Sequence, residues 1–184
     1  MKRIITLTLV LIGMTSTLIH AERYYYFDHL KSTDGLPSNT IYCAMQDQSG
    51  FMWIGTRDGL CRYDGQSFRR ISEITPVHKM NCTAIDVTED ISGKIWFCWQ
   101  NGVGYYDPFT DDAGQLNLPE NNRAVRVQAD SKGNVWIAAR DLFRYDTLRS
   151  GMHTYTFGES KPTMVTEDSL GNIWILTDDG SLYI

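Results

Sequence analysis

Four short stretches of this chain are apolar on both faces. Met52-Trp53-Ile54, Ile95-Trp96-Phe97, Val135-Trp136-Ile137 and Ile173-Trp174-Ile175 do not alternate with polar residues as a half-exposed strand would. Each predicts a strand covered on both sides. The positions around them recur as regularly. An Asp-x-x-Gly segment precedes every stretch, starting at Asp47, Asp90, Asp130 and Asp168, and Tyr63, Tyr106, Tyr145 and Tyr183 follow the tryptophans nine or ten residues later. The Trp-to-Trp spacings are 43, 40 and 38 residues. A period near forty with several short strands per unit is the sequence signature of a β-propeller blade.

Each unit reads as four antiparallel strands, a to d. In the first, Thr40–Asp47 is a, Phe51–Thr56 is b, Leu60–Tyr63 is c and Ser67–Ile71 is d. Gly50 fits the left-handed position of a tight a–b hairpin, and Asp47 is placed to accept hydrogen bonds from that turn's amides. The tryptophans and the repeated tyrosines are expected to pack between neighbouring blades. The third unit is one residue shorter after Ala139, which predicts a tighter b–c turn. Pro108 to Asn122 reads as a polar connector between the second and third units.

The chain ends and the charge narrow the picture. Lys2-Arg3, an apolar run from Ile4 to Ile19 and a small residue at Ala21 have the layout of a signal peptide cut before Glu22. The run is shorter than the ~20 residues of a membrane span, and no second one follows, so no membrane insertion is expected after cleavage. Cleavage would reduce the 17 basic residues to 15 against 22 acidic ones, a net charge of about −7. That balance argues against nucleic acid as a partner. The expected domain plan is a signal peptide at 1–21, an N-terminal strand of a closing blade at 22–34, and blades at about 35–75, 76–118, 119–157 and 158–184, the last incomplete.

No chemistry-bearing constellation stands out. The histidines (His20, His29, His78, His153) share no metal-ligand spacing, and no nucleophile elbow, P-loop or Cys-x-x-Cys is present. Asp111-Asp112 and Asp178-Asp179 read as turns and not as calcium loops. No catalytic residue, metal or cofactor is expected. Cys43, Cys61, Cys82 and Cys98 read as free, buried thiols, since Cys43 and Cys61 fall two strand spacings apart, roughly 10 Å.

The segment from Tyr25 resembles the start of the periplasmic sensor region of hybrid two-component systems of gram-negative gut bacteria, which are built on two-component regulator propeller repeats. The residues that carry the resemblance are Asp34-Gly35-Leu36, Asn39, Gln46-Asp47, Gly50, Trp53-Ile54-Gly55-Thr56, Asp58-Gly59-Leu60 and Arg62-Tyr63-Asp64. It implies rings of about seven blades, followed by a membrane helix, a histidine kinase and a DNA-binding domain, with the propellers sensing carbohydrate fragments. The expectation is therefore an all-β propeller of four blades, each a four-stranded antiparallel sheet, forming an incomplete arc of a larger ring. Closure into a four-bladed ring is topologically allowed. The apolar faces at the ends of an arc are expected to favour self-association.

Specificity is expected on the propeller face that carries the b–c and d–a loops, where the framework holds and the residues vary. The b–c positions are Arg57-Asp58, Trp99-Gln100-Asn101, Arg140-Asp141 and Asp178-Asp179, and the d–a positions are Asn39, Asn81, Asn122-Arg123 and Lys161. The candidate ligand-binding set is Arg57, Asp58, Trp99, Gln100, Asn101, Arg123, Arg140, Asp141 and Asp178. An aromatic face can cover the C–H side of a pyranose while planar polar groups meet its hydroxyls, and Trp99 has no counterpart in the other units. The leading functional expectation is a periplasmic module sensing an oligosaccharide or other small ligand. A protein-interaction propeller and a propeller-fold hydrolase or lyase are the alternatives.

Overall fold

In the computed structural model, which describes residues 24–71, 83–99 and 102–184, four antiparallel sheets follow one another in chain order. The first blade holds β1 (Ile41–Gln46), β2 (Met52–Thr56), β3 (Gly59–Tyr63) and β4 (Phe68–Arg70). The second holds β5 (Asp86–Glu89), β6 (Ile95–Trp99), β7 (Gly102–Asp107) and β8 (Asp112–Leu116). The third holds β9 (Arg126–Ala129), β10 (Asn134–Ala138), β11 (Leu142–Asp146) and β12 (Gly151–Tyr155). The fourth holds β13 (Pro162–Glu167), β14 (Ile173–Thr177) and β15 (Leu182–Tyr183). The chain is an all-β propeller. The predicted signal segment, Asn81, Cys82, Gln100 and Asn101 lie outside the described residues.

The D-x-x-G-x-x-W repeat folds as one local device. Asp47, Asp90, Asp130 and Asp168 each offer one carboxylate oxygen to the amide four residues on, at 2.9, 3.1, 2.8 and 2.9 Å. The other oxygen accepts the indole N–H of Trp53, Trp96, Trp136 or Trp174, at 2.7, 2.7, 2.8 and 2.9 Å. A buried indole needs such a partner. The glycine closes the turn at positive φ, as at Gly50 with φ 89°, where a side chain would be strained.

The core lies between blades. Trp53 and Leu60 of the first blade meet Val87, Ile95 and Phe97 of the second. Trp96, Cys98 and Val103 of the second meet Val127, Ile137 and Phe143 of the third. Trp136 and Leu142 of the third meet Val165 and Ile175 of the fourth. Two of the repeated tyrosines take part as expected: Tyr106 lies 5.8 Å from Trp53 and Tyr145 lies 5.4 Å from Trp96, each centroid pair bridging two blades, whereas Tyr63 stacks on Phe68 of its own blade and Tyr183 is exposed. A buried aromatic ring removes ~200 Å² from water, up to ~5 kcal/mol at ~25 cal/mol per Å², so this packing outweighs any single hydrogen bond across the junction.

Polar clamps add register. The Glu89 carboxylate accepts the Gln48 amide of the preceding blade at 2.9 Å, and Glu167 accepts that of Ser131 at 2.7 Å. Between them the corresponding residue is Ala129. That junction uses Asp86 and Thr88 instead, which accept the Val127 and Ala129 amides at 3.1 Å each.

The first strands stand side by side, β1 against β5, β5 against β9 and β9 against β13, while β1 and β13 make no comparable contact. The four blades are thus an arc. Burial of the repeated tryptophan falls along it: Trp53, Trp96 and Trp136 are 0, 3 and 8% exposed, and Trp174 is only half-buried.

Two expectations are corrected. The segment read as a connector from Pro108 to Asn122 contains β8, whose sequence DAGQL looks like loop because an outermost strand has little apolar surface to bury. The N-terminal strand expected within 22–34 is absent from the described residues: 24–31 lie in no strand, a 3-10 turn occupies Ser32–Asp34, and the fourth sheet has three strands. Among the described residues, no sheet includes this segment.

Candidate functional site

The b–c turns and the entries to the next a strands share one face, as the repeat predicts. On it the Ala84 amide donates to the Thr56 carbonyl at 3.0 Å, the Val125 amide to that of Ala138 at 2.8 Å, and the Asp178 amide to that of Lys161 at 2.9 Å. Between the third and fourth blades this face opens into a cleft of about 770 Å³.

Arg123, Arg140, Asp141 and Asp178 of the candidate set all line this cleft, together with Lys161. Backbone bonds fix the loops that carry them. The Asn122 side-chain oxygen accepts the Asp141 amide at 3.1 Å, and Asp178 accepts the Lys161 amide at 2.8 Å. Ser160 donates to Asp179 at 2.9 Å, and Asp179 accepts the Thr177 hydroxyl at 2.6 Å, so Asp178-Asp179 forms a turn. These bonds hold the Asp179 carboxyl well below the usual carboxylate range. The Arg123, Arg140 and Lys161 head groups make no ion pair or side-chain hydrogen bond among the described residues. The cleft therefore presents three cations whose donors are open to a ligand, beside the carboxylates of Asp141, Asp178 and Glu159.

The remaining candidates lie elsewhere. Arg57 and Asp58 are exposed at the first b–c turn, where the Arg57 amide donates to Thr40 and its carbonyl accepts the Thr83 hydroxyl at 3.2 Å. Trp99 is half-buried, with its ring 5.9 Å from that of Phe97 and packed on Gly102, where a Cβ would come within 2.6 Å of the indole. Much of its surface is thus used in packing. Sequence reasoning missed Glu159, which lies in the short connection bounded by the Phe157–Ser160 bridge. Its brevity before Lys161-Pro162 was the available signal.

A second polar group sits between the inner strands. Asp86, opposite Cys98 in the register, accepts the Val127 amide across the junction. Burial pushes its carboxyl up, against the pull of that bond and of Arg126. Cys43, Cys61 and Cys98 are free. Burial pushes the first two thiols up to about 11 and about 12 and Cys98 higher still. They remain protonated at neutral pH, the state least suited to nucleophilic or redox chemistry.

Comparison with known proteins agrees with this architecture. A family model described as the two component regulator propeller matches residues 35–58, from the glycine before β1 to the first b–c turn. Histidine kinase P4 of Formosa agariphila is 30% identical over 70 residues, which is 38% of this chain and 5% of that protein. Among solved structures, the extracellular domain of BT4673 from B. thetaiotaomicron superposes with a TM-score of 0.70 at 24% identity, over 85% of this chain and 22% of that one. That protein is described both as a one-component and as a hybrid two-component system. Virginiamycin B lyase from Staphylococcus aureus follows at TM-score 0.63 and 15% identity, over 78% of this chain and 54% of that one. The chain thus spans about a twentieth of the histidine kinase and under a quarter of the BT4673 chain. Its first blade carries a two-component regulator propeller repeat, and its propeller is similar to the extracellular domains of two-component systems. No helix among the described residues is long and apolar enough to cross a membrane.

Proposed function

We propose that this chain is an exported ligand-sensing propeller of a two-component signalling receptor, and that it binds an oligosaccharide in the cleft between its third and fourth blades. One observation carries the reading. Arg123, Arg140 and Lys161, unpaired among the described residues, line the same cleft of about 770 Å³ as Asp141 and Asp178, a size within the ~300–1,000 Å³ of small-molecule sites. Guanidinium groups donate in a fixed plane and carboxylates accept, which together suit the vicinal hydroxyls of a sugar. The similarity to extracellular domains of two-component systems supports signalling, not turnover, as the outcome of binding.

Calorimetry against a panel of neutral and acidic oligosaccharides tests it. A hydrogen bond to a charged group contributes about 1.5–3 kcal/mol, so Arg140→Ala should weaken binding at least ~10-fold with little change in melting temperature. Trp99→Ala should lower the melting temperature and leave affinity largely intact. Binding unaffected by Arg140→Ala would place the site elsewhere. Failure of every glycan would favour a protein partner, and release of product from one would favour an enzyme.

A further inference from the structure

We infer that the ligand of the cleft between the third and fourth blades is an acidic oligosaccharide, whose carboxylate or sulfate is seated by Arg123 and Arg140. The inference rests on the proposed reading of that cleft as an oligosaccharide site and narrows it to one charge class.

The repeat supplies the comparison. In the first blade a residue at the entry to the inner strand, Thr40, is tied to the b–c turn by the Arg57 amide, which donates to its carbonyl at 3.0 Å. In the fourth blade the same backbone bond joins the Asp178 amide to Lys161, at 2.9 Å. The third blade has the shorter b–c turn, and there Asn122 makes the tie, its side-chain oxygen accepting the Asp141 amide at 3.1 Å. Arg123 and Arg140, the neighbours of those two residues, are thereby brought to one wall of the cleft. A neutral threonine thus accompanies Arg57 and a carboxylate accompanies Lys161, but the third blade sets two arginines together. Like charges on neighbouring strand ends cost stability when no counter-charge lies with them. Neither guanidinium forms an ion pair among the described residues, although Asp141 adjoins Arg140 in sequence.

The rest of the cleft does not supply that counter-charge. Of its carboxylates, Asp178 is turned into its own loop, where it accepts the Lys161 amide at 2.8 Å. Asp141 and Glu159 form no ion pair among the described residues and remain as acceptors for sugar hydroxyls. Three open cations, Lys161 included, therefore stand against these two carboxylates. The surplus is positive in a chain whose 22 acidic residues outnumber its 17 basic ones, so it belongs to this site and not to the surface at large. A guanidinium fork matches the oxygens of a carboxylate or sulfate and holds them by paired, charge-assisted hydrogen bonds. The anionic sugar unit thus docks on the third blade, with its hydroxyls turned to Asp141 and Glu159.

Calorimetry with matched pairs tests it: uronate-containing oligosaccharides against the same compounds with the carboxyl reduced to a primary alcohol, and sulfated oligosaccharides against their desulfated forms. In at least one pair the acidic member should bind at least ~10-fold more tightly than its neutral partner, and that pair identifies the group that is read. Arg123→Gln and Arg140→Gln keep a planar donor and remove the charge. Each should weaken the acidic compound at least ~10-fold and leave its neutral partner largely unaffected. Both positions are exposed, so the melting temperature should not move. Acidic and neutral members bound equally, and both weakened by Arg140→Ala, would overturn the inference while keeping the cleft as a sugar site. An acidic preference that survives both glutamine variants overturns it too, because the anion is then read elsewhere. So does inorganic sulfate bound as tightly as the oligosaccharides, which would mean a site for an anion alone. Absence of binding by every pair overturns it together with the oligosaccharide reading.

Discussion

Replacing Asp90 with alanine removes the acceptor of four hydrogen bonds, from the Ser92 amide at 2.8 Å, the Ser92 hydroxyl at 2.6 Å, the Lys94 amide at 3.1 Å and the Trp96 indole at 2.7 Å. The four donors differ in what they can find afterwards. Ser92 is exposed and Lys94 half-buried at the turn, where water can replace the carboxylate. The Trp96 N–H is enclosed between two blades and cannot be rehydrated without opening the junction. An unsatisfied buried donor costs about 1–3 kcal/mol, and a hydrogen bond to a charged group contributes about 1.5–3 kcal/mol. Counting the indole in full and the turn donors in part gives ~3–4 kcal/mol, a large fraction of a domain's stability. With a slope of ~2 kcal/mol per molar urea, the unfolding midpoint should drop by ~1.5–2 M. Asp168 also accepts four bonds in the fourth blade, from the Leu170 and Asn172 amides, the Asn172 side chain and the Trp174 indole, but is more open to water, so Asp168→Ala should shift the midpoint far less. Asp90→Asn keeps one acceptor oxygen, enough for the indole or the turn but not both, and should fall between. Urea titrations followed by tryptophan fluorescence check the series. Equal shifts for Asp90→Ala and Asp168→Ala would refute the argument that burial of the indole sets the cost.

Two further outcomes follow from features described above. Burial raises the folded-state pKa of Asp86 above the ordinary 3.8, so the native state holds that proton more tightly; its contribution is full below 3.8 and is lost as pH rises through the folded value. Asp86→Asn retains an acceptor for the Val127 amide and removes the titration, so its melting temperature relative to wild type should rise from pH 3 to pH 7, and an offset independent of pH would refute this. Export with cleavage after Ala21 should leave Glu22 as the first residue of the protein recovered outside the cytoplasm, and an intact Met1 in the cytosol would refute it.

The central strands were the most legible part of the sequence, because a strand covered on both faces writes its burial into consecutive residues. Phe51–Thr56 was expected and Met52–Thr56 is observed; Leu60–Tyr63 was expected and Gly59–Tyr63 is observed. The tight turn after Ala139 was equally readable, and there the Ala139 amide bonds the Asp141 carbonyl at 3.0 Å. Outer strands were not readable: DAGQL in β8 carries neither alternation nor β-branched residues. The service of Asp47 to its turn was legible, but its bond to Trp53 was not, because six residues of separation become contact only once the hairpin has formed. For the site, the shared loop face was predictable from strand order. Which blade junction would open into a cleft depends on how far neighbouring blades splay, and no local pattern encodes that.

The bonds of the Asp–Trp pair span six residues in every unit, so each hairpin carries its own fixing and asks nothing of its neighbours. The tryptophan ring also packs on the next blade, but the partners it meets and the polar clamps between blades fall on other residues, such as Glu89, Glu167, Tyr106 and Leu60. Conserving a unit and choosing how units meet are therefore separable. A duplication or loss of about forty residues in frame leaves every remaining hairpin intact and changes only how many junctions exist. Such an architecture can vary its circumference over evolutionary time while the aspartate and tryptophan stay unchanged, with the faces between blades left to adjust curvature and to shape new clefts.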